Sequence, residues 1–263
     1  MDRRPLIRTA AVAALILLPG ACATSGGSGP AALPVSGYLD AGALDALSGA
    51  FPPSPTTLTW PGDETPGAAP GSDRWWMATA QAELRPPEAA QHFDCALGTR
   101  LAGAPRPALT RLMNRLLVDA DSLTRRLAAG HARARPVAVD PTLQPCQRVT
   151  DAMRDSPSWP ANGAVAGAAY GEMFADLAPD RAEAARREGA EIGFSRIVCR
   201  MNWPSDVRDG ASIGRTLYAR AAATPDFAAD LEAARAEVAR ARAEGLPSPP
   251  CPADPRPPRQ AAS

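Results

Sequence analysis

The residues best suited to chemistry lie in one short segment, 195–206. Ser195 and Arg196 open it, and Asp206 closes it. A second notable arginine, Arg135, lies upstream and directly precedes a proline. Guanidinium groups bind anions with bidentate geometry, and a buried carboxylate can orient a neighbouring side chain. Two interpretations stay open for Arg135 and Arg196: they bind an anion, with Ser195 beside them, or they are buried ion-pair partners of Asp206 and other acids.

Histidine, the most frequent general acid and base, occurs only at positions 92 and 131, and all 28 cationic side chains are arginines. His131 lies shortly before Arg135, so it is either a replacement acid or nucleophile or a packed or solvent-facing loop residue. The second interpretation is favoured for both histidines. Arg133 and Arg200 are interpreted as solvated charges.

The spacing of the 195–206 segment is typical of a known signature. It closely resembles the third motif of the class A bacterial acid phosphatases, in the type 2 phosphatidic acid phosphatase superfamily: Ser-Arg, five residues, His, three residues, Asp. Ser195, Arg196 and Asp206 match at the right spacing. Asn202 stands in the histidine position.

The two other motifs of that family can be sought upstream. The first is Lys, six residues, Arg-Pro; Arg135 and its proline match, and the lysine position falls on Ala128. The second is Pro-Ser-Gly-His; Pro160 matches, and the histidine position falls on Gly163. The resemblance covers roughly residues 90 to 245.

The resemblance implies a phosphoryl-transfer site that has lost its reacting groups. In the family, one histidine attacks phosphorus while an aspartate orients it, and a second histidine protonates the leaving oxygen. A lysine and two arginines neutralise the phosphoryl charge. Here Asn202 and Gly163 offer neither a nucleophile nor an acid, and Ala128 offers no charge. Asn202 is expected to donate a hydrogen bond to Asp206 instead.

Three functional hypotheses follow. The leading one is a catalytically impaired homologue that keeps an Arg-lined pocket for phosphate or a phosphomonoester. The second is an active phosphomonoesterase with a variant site, acting through His131 or another group. The third is a structural or interaction protein of the cell envelope. If Asp206, Arg135 and Arg196 keep the family geometry, restoring Lys at 128 and His at 163 and 202 is expected to restore activity.

Four cysteines remain once Cys22 is set aside, and they allow three disulfide pairings. Because the second and third motifs must meet at one pocket, Cys146 is expected to pair with Cys199. Cys95 is then expected to pair with Cys251 and anchor a Pro-rich tail. No Cys or His spacing is typical of zinc, so neither a metal site nor a cofactor is predicted.

The remainder of the chain divides by composition. Residues 1–23 read as a signal peptide with an apolar core too short to span a membrane, which predicts a periplasmic protein. Cys22 is either part of the cleavage site or a lipid-bearing first residue, the only predicted contact with a membrane. Residues 24–70 form a Gly/Pro-rich arm, 71–245 a helical domain and 246–263 the tail. Acidic and basic residues balance at 28 each, which argues against a nucleic-acid partner.

Apolar residues recur at helical spacing and no period-two run indicates a strand, so an all-α fold is predicted. The resemblance implies a helical bundle of the acid phosphatase and vanadium haloperoxidase type. The sequence predicts helices over residues 73–84, 87–103, 107–129, 161–177, 180–201 and 205–223, and a last one from Pro225; residues 136–158 are expected to be irregular.

Overall fold

A computed structural model of the chain describes residues 35–54, 68–129 and 133–245, and these contain helices and no strands. The all-α prediction is therefore confirmed. The helices are α1 Ala41–Ser48, α2 Asp73–Ala80, α3 Asp94–Leu97, α4 Pro107–Ala128, α5 Pro136–Val139, α6 Asp151–Asp155, α7 Asn162–Leu177, α8 Ala182–Val198, α9 Pro204–Ala222 and α10 Pro225–Ala243.

Helix α7 lies at the centre and packs most extensively against α8 and α9. Its residues are mostly small, and a Cβ atom added at Gly167 would lie 2.6 Å from the carbonyl oxygen of Gly189 on α8. A Cβ at Gly214 on α9 would lie 2.2 Å from the carbonyl oxygen of Val165. Glycine is therefore required where the helix backbones touch, and this contact fixes the ends of the three helices relative to one another.

Helix α4 supplies the large apolar side chains that α7 lacks. Leu112, Leu116 and Leu123 are fully buried on one face, as their helical spacing predicts. This face packs against α7 and α10. Pro107 occupies the first turn, where its missing N–H costs no hydrogen bond.

The expectation of a loose arm over residues 24–70 is wrong for residues 35–54. Asp40 caps α1 by accepting a hydrogen bond from the Ala43 N–H. Leu44 is buried, as is the ring of Tyr38, whose N–H donates to Asp119 on α4 over 2.7 Å. Apolar side chains between the small residues anchor this segment to the bundle.

Two other segments differ from their predicted structure. The helix expected over 87–103 is broken into a 3₁₀ turn, Glu88–Phe93, the short α3, and a second 3₁₀ turn, because Gly98 takes a φ of 69° and ends α3. The stretch 136–158, expected to be irregular, contains α5 and α6.

Cys146 and Cys199 are joined by a disulfide, the pairing expected from the sequence. It connects the segment before the second motif to the end of α8. Cys251 and the tail lie outside the described residues, as do the signal-peptide segment with Cys22, and His131. The pairing of Cys95 with Cys251 therefore stays a prediction. Within the described part of the chain, no helix combines the length and apolar character needed to cross a membrane.

Substituting Gly189 with alanine should destabilise the bundle, because the new Cβ would lie 2.3 Å from the carbonyl oxygen of Gly167. Overpacking at such a contact costs about 1–3 kcal/mol, and a clash with backbone falls at or above the upper end. Chemical denaturation should report this loss. The matched control is Gly42→Ala on the exposed surface of α1, where the nearest atom would be 3.5 Å away. A stable Gly189→Ala variant would contradict the close helix contact.

Candidate functional site

The three motif segments meet where the central helices begin and end. The first motif leads into α5, the second opens α7, and the third links α8 to α9. Because α7 packs against both α8 and α9, these ends are brought together. Backbone hydrogen bonds join the segments in pairs: Val137 N–H to Arg200 O at 3.2 Å, Ser158 N–H to Arg133 O at 2.8 Å, and Ala161 N–H to Asp206 O at 3.2 Å.

Asp206 lies at the centre of this meeting point and is fully buried. Its Oδ1 accepts a hydrogen bond from Nη1 of Arg133 at 2.6 Å. Its Oδ2 accepts from the N–H of Trp203 at 2.9 Å, which caps α9, and from the hydroxyl of Ser158. The carboxylate is thus held by an ion pair, a helix cap and a hydroxyl at once.

Arg133 is therefore not the solvated charge that the sequence predicted. Its side chain is only 2% exposed, and Nη1 also donates to the hydroxyl of Ser205 over 2.8 Å. Arg135 has an extended backbone, and in an extended stretch residues two apart point to the same side. That alternation was the available signal: if Arg135 faces the site, Arg133 does too.

Asn202 is buried beside Asp206 and does not use its amide on it, contrary to expectation. Its Nδ2 donates to the carbonyl oxygen of Ser158 at 2.6 Å. Its Oδ1 lies 3.5 Å from Nε of Arg196. The side chain at the histidine position is thus tied to the second motif and to Arg196.

Gly163 lies in the first turn of α7, directly against Arg196. A Cβ atom at position 163 would be 2.6 Å from Cδ and 2.8 Å from Cγ of that arginine. The Arg196 side chain therefore fills the space that a side chain at 163 would need. Any larger residue there must displace it.

Arg135 and Arg196 form the positive part of the site. Arg135 donates from Nε to the Met153 carbonyl at 3.0 Å and from Nη1 to the Met201 carbonyl at 2.8 Å. Within the described ranges, Arg196 adds to its Asn202 contact a long one from Nη1 to Oε1 of Gln147 at 3.5 Å. Among the described residues, no carboxylate oxygen lies within 4.0 Å of either guanidinium. The interpretation of Arg135 and Arg196 as ion-pair partners of Asp206 is therefore wrong, because Arg133 takes that place.

The two guanidiniums repel each other, which disfavours the charged form of Arg196. Burial, followed by repulsion from Arg135, lowers the pKa of Arg196 to about 10. Burial also lowers the pKa of Arg135, and the charge of Asp206 partly opposes this effect. Both remain cationic near neutral pH, so the site is an electropositive position that a bound anion would stabilise.

Ser195 is not brought together with these arginines. Its buried hydroxyl donates to Oε1 of Gln81 and accepts from Nη1 of Arg74 at 2.9 Å, both at the α2 side of α8. Gln81 in turn donates to Glu188 over 2.7 Å, and burial raises the pKa of that carboxyl to about 7. The Ser195 hydroxyl thus links α2 to α8. Its observed hydrogen bonds are to Gln81 and Arg74, not to a position beside Arg196.

The remaining candidates contribute less. Ala128 is the last residue of α4 and carries no polar side-chain atom. His92 lies in a 3₁₀ turn with Nε2 2.9 Å from the carbonyl oxygen of Glu83, and burial lowers its pKa. Across residues 35–54, 68–129 and 133–245, no three His, Cys, Asp or Glu side chains are grouped as a metal ion would require.

Comparison with known proteins gives a consistent group of relatives. The chain is 32% identical to an acid phosphatase of Zymomonas mobilis over 173 residues, which is 65% of this chain and 65% of that protein, slightly under two thirds of its length. It is 27% identical to a non-specific acid phosphatase of Salmonella typhimurium over 174 residues, covering 65% and 69% of the two chains. A non-specific acid phosphatase of Providencia stuartii is 25% identical over 170 residues, 64% and 68%.

A scan against models of protein families gives no match. The relatives are nevertheless all named acid phosphatase or non-specific acid phosphatase, and the segment they match is about two thirds of this chain. Their agreement with the all-helical fold and with the order of the three motif segments supports the resemblance to the class A bacterial non-specific acid phosphatases.

Proposed function

We propose that this protein is an exported acid phosphatase-like protein that binds phosphate or a phosphomonoester without hydrolysing it. The observation that carries the proposal is the pair Arg135 and Arg196, two half-buried arginines with no carboxylate within ion-pair distance in the described part of the chain. Such a pair favours a multiply charged oxyanion, because the anion removes the repulsion between the two cations.

The absence of turnover follows from the side chains that surround these arginines. The amide nitrogen of Asn202 has no available lone pair and cannot attack phosphorus. Gly163 has no proton to give, and Arg196 fills the space beside it. Ala128 cannot add a third positive charge. A bound phosphomonoester would therefore be held near the arginines with no group able to complete either half of the reaction.

We place the protein in the periplasm on the basis of residues 1–23, whose charged start and short apolar run suit an export signal. Soluble export and lipid attachment at Cys22 both stay in the proposal. Mass spectrometry of the mature N-terminus distinguishes them: a lipid-bearing Cys22 establishes the anchor, and an unmodified N-terminus beyond Cys22 establishes a soluble protein.

Two other functions remain as alternatives. An active phosphomonoesterase is favoured by the acid phosphatase names of the relatives and would require a reacting group such as His131. An interaction protein of the cell envelope would need no ligand at Arg135 and Arg196. The two measurements below separate all three.

Phosphate should bind with weak affinity, a Kd of roughly 1 mM, and Arg196→Gln should weaken it at least tenfold. A hydrogen bond to a charged group contributes about 1.5–3 kcal/mol, which sets this magnitude. Titration calorimetry with phosphate and with vanadate is the measurement. Arg196 is preferred to Arg135, whose hydrogen bonds to main-chain carbonyls also support the fold.

The matched control is Arg187→Gln, which removes an exposed cation from the same helix α8. It should leave the affinity unchanged. Equal affinities in the unmodified protein, Arg196→Gln and Arg187→Gln would exclude the pocket and favour the envelope interaction protein.

The unmodified protein should not hydrolyse p-nitrophenyl phosphate above background between about pH 5 and 7, since loss of general acid catalysis alone costs about 10²–10⁴-fold. The triple variant Ala128→Lys, Gly163→His, Asn202→His should also stay inactive, in contrast to the expectation from sequence. Position 163 is filled by Arg196, and Asp206 is paired with Arg133.

Turnover and inhibition by vanadate are measured on both proteins. Vanadate-sensitive hydrolysis by the unmodified protein, abolished in His131→Ala, would establish the active phosphomonoesterase instead. Hydrolysis by the triple variant alone would show that the arginines and Asp206 retain a catalytic geometry.

A further inference from the structure

Arg133 contacts all the segments that form the site. Its carbonyl oxygen accepts a hydrogen bond from the N–H of Ser158 in the segment that leads to the second motif. Its guanidinium binds Ser205 and Asp206 at the start of α9 and lies 5.8 Å from the ring centre of Trp203. One residue of the first segment is thus bonded to both of the others.

The ion pair with Asp206 is shielded from water on both sides. The two side chains are 2% and 0% exposed, and their contact atoms are 2.6 Å apart. A charge buried to this degree requires a partner, because an unpaired buried ion costs several kcal/mol. Arg133 and Asp206 therefore keep each other in place.

Three hydrogen bonds hold the carboxylate of Asp206 in this arrangement. A carboxylate offers about four lone-pair positions. Arg133 takes Oδ1, while Ser158 and the N–H of Trp203 take Oδ2. The amide of Asn202 points instead to the carbonyl oxygen of Ser158. Ser158 therefore binds both side chains, the carboxylate through its hydroxyl and the amide through its carbonyl oxygen, and the two side chains are not bonded to each other.

We propose that Arg133 is a positioning residue that keeps Asp206 neutralised and unavailable to position 202. This inference rests on the proposed function, in which the site holds an anion and performs no chemistry. It gives Arg133 two effects: Asp206 is kept from orienting a group at position 202, and the positive charge of Arg133 reduces the repulsion between Asp206 and an anion bound at Arg135 and Arg196.

An imidazole placed at position 202 reports directly on this arrangement. The natural chain has only two histidines, so Asn202→His labelled at histidine gives three sets of signals in an NMR titration. Position 202 faces Arg196 and lies next to the Met201 carbonyl bound by Arg135. With Asp206 paired to Arg133, these cations and burial should lower the pKa of His at 202 below its ordinary value of about 6.5.

Adding Arg133→Met should release Asp206 to pair with the imidazole. The pKa of the new histidine should then rise by at least about one unit, a tenfold change in its proton affinity. Arg133→Lys keeps the charge and should restore the low value. Arg187→Met removes one exposed cation from α8 and should leave the value unchanged. If Arg133 only stabilised the fold, its variants would not change the histidine pKa in this order.

Two results would overturn the inference. One is a raised histidine pKa in the Asn202→His variant with Arg133 in place, a measurement that needs no folded Arg133→Met protein. The other is an unchanged pKa in an Arg133→Met variant that is folded by circular dichroism. Phosphate titration of the same proteins tests the proposed function separately. If phosphate does not bind and the histidine pKa is low, anion binding is refuted and the role of Arg133 is retained. If phosphate binds and the histidine pKa is raised, anion binding is retained and the role of Arg133 is refuted.

Discussion

The close approach of α7 to α8 and α9 is the constraint on which the rest of the structure depends. Gly167, Gly189 and Gly214 allow backbone contacts that any Cβ atom would prevent. Helices held this closely have little freedom to slide, so the start of α7, the end of α8 and the start of α9 occupy fixed relative positions. Every residue of the candidate site is attached to one of these ends or is hydrogen-bonded to one.

Charge determines how those ends are joined. Asp206 begins α9, and its carboxylate caps the helix through the N–H of Trp203. A buried carboxylate needs a cation, and Arg133 supplies it from a different segment. Two more arginines then remain without a carboxylate among the described residues. The local excess of positive charge thus follows from the pairing of Asp206 with Arg133 rather than with Arg135 or Arg196.

The sequence predicted the helices whose signals are local. Regular apolar spacing located α4 to within a residue of the observed Pro107–Ala128, and the helix predicted over 205–223 lies within a residue of α9, Pro204–Ala222. It did not predict the docking of residues 35–54, because a few apolar side chains such as Tyr38 and Leu44 do not alter the Gly/Pro-rich composition of the segment. Motif order predicted which segments meet. It could not predict that Arg133 pairs with Asp206, since a choice among three nearby arginines depends on distances between segments.

Retention of Asp206 without its histidine partner has a physical explanation in these contacts. Catalysis needs a nucleophile, an acid and an orienting carboxylate in one geometry, and the loss of any member removes the benefit of the others. Holding the fold needs only the carboxylate, because it caps α9 and neutralises Arg133. The proposed anion binding would use Arg135 and Arg196. Because these requirements are separate, the charged residues can remain although the reacting side chains are absent. A matching Ser-Arg…Asp spacing therefore indicates shared ancestry and architecture more strongly than it indicates shared chemistry.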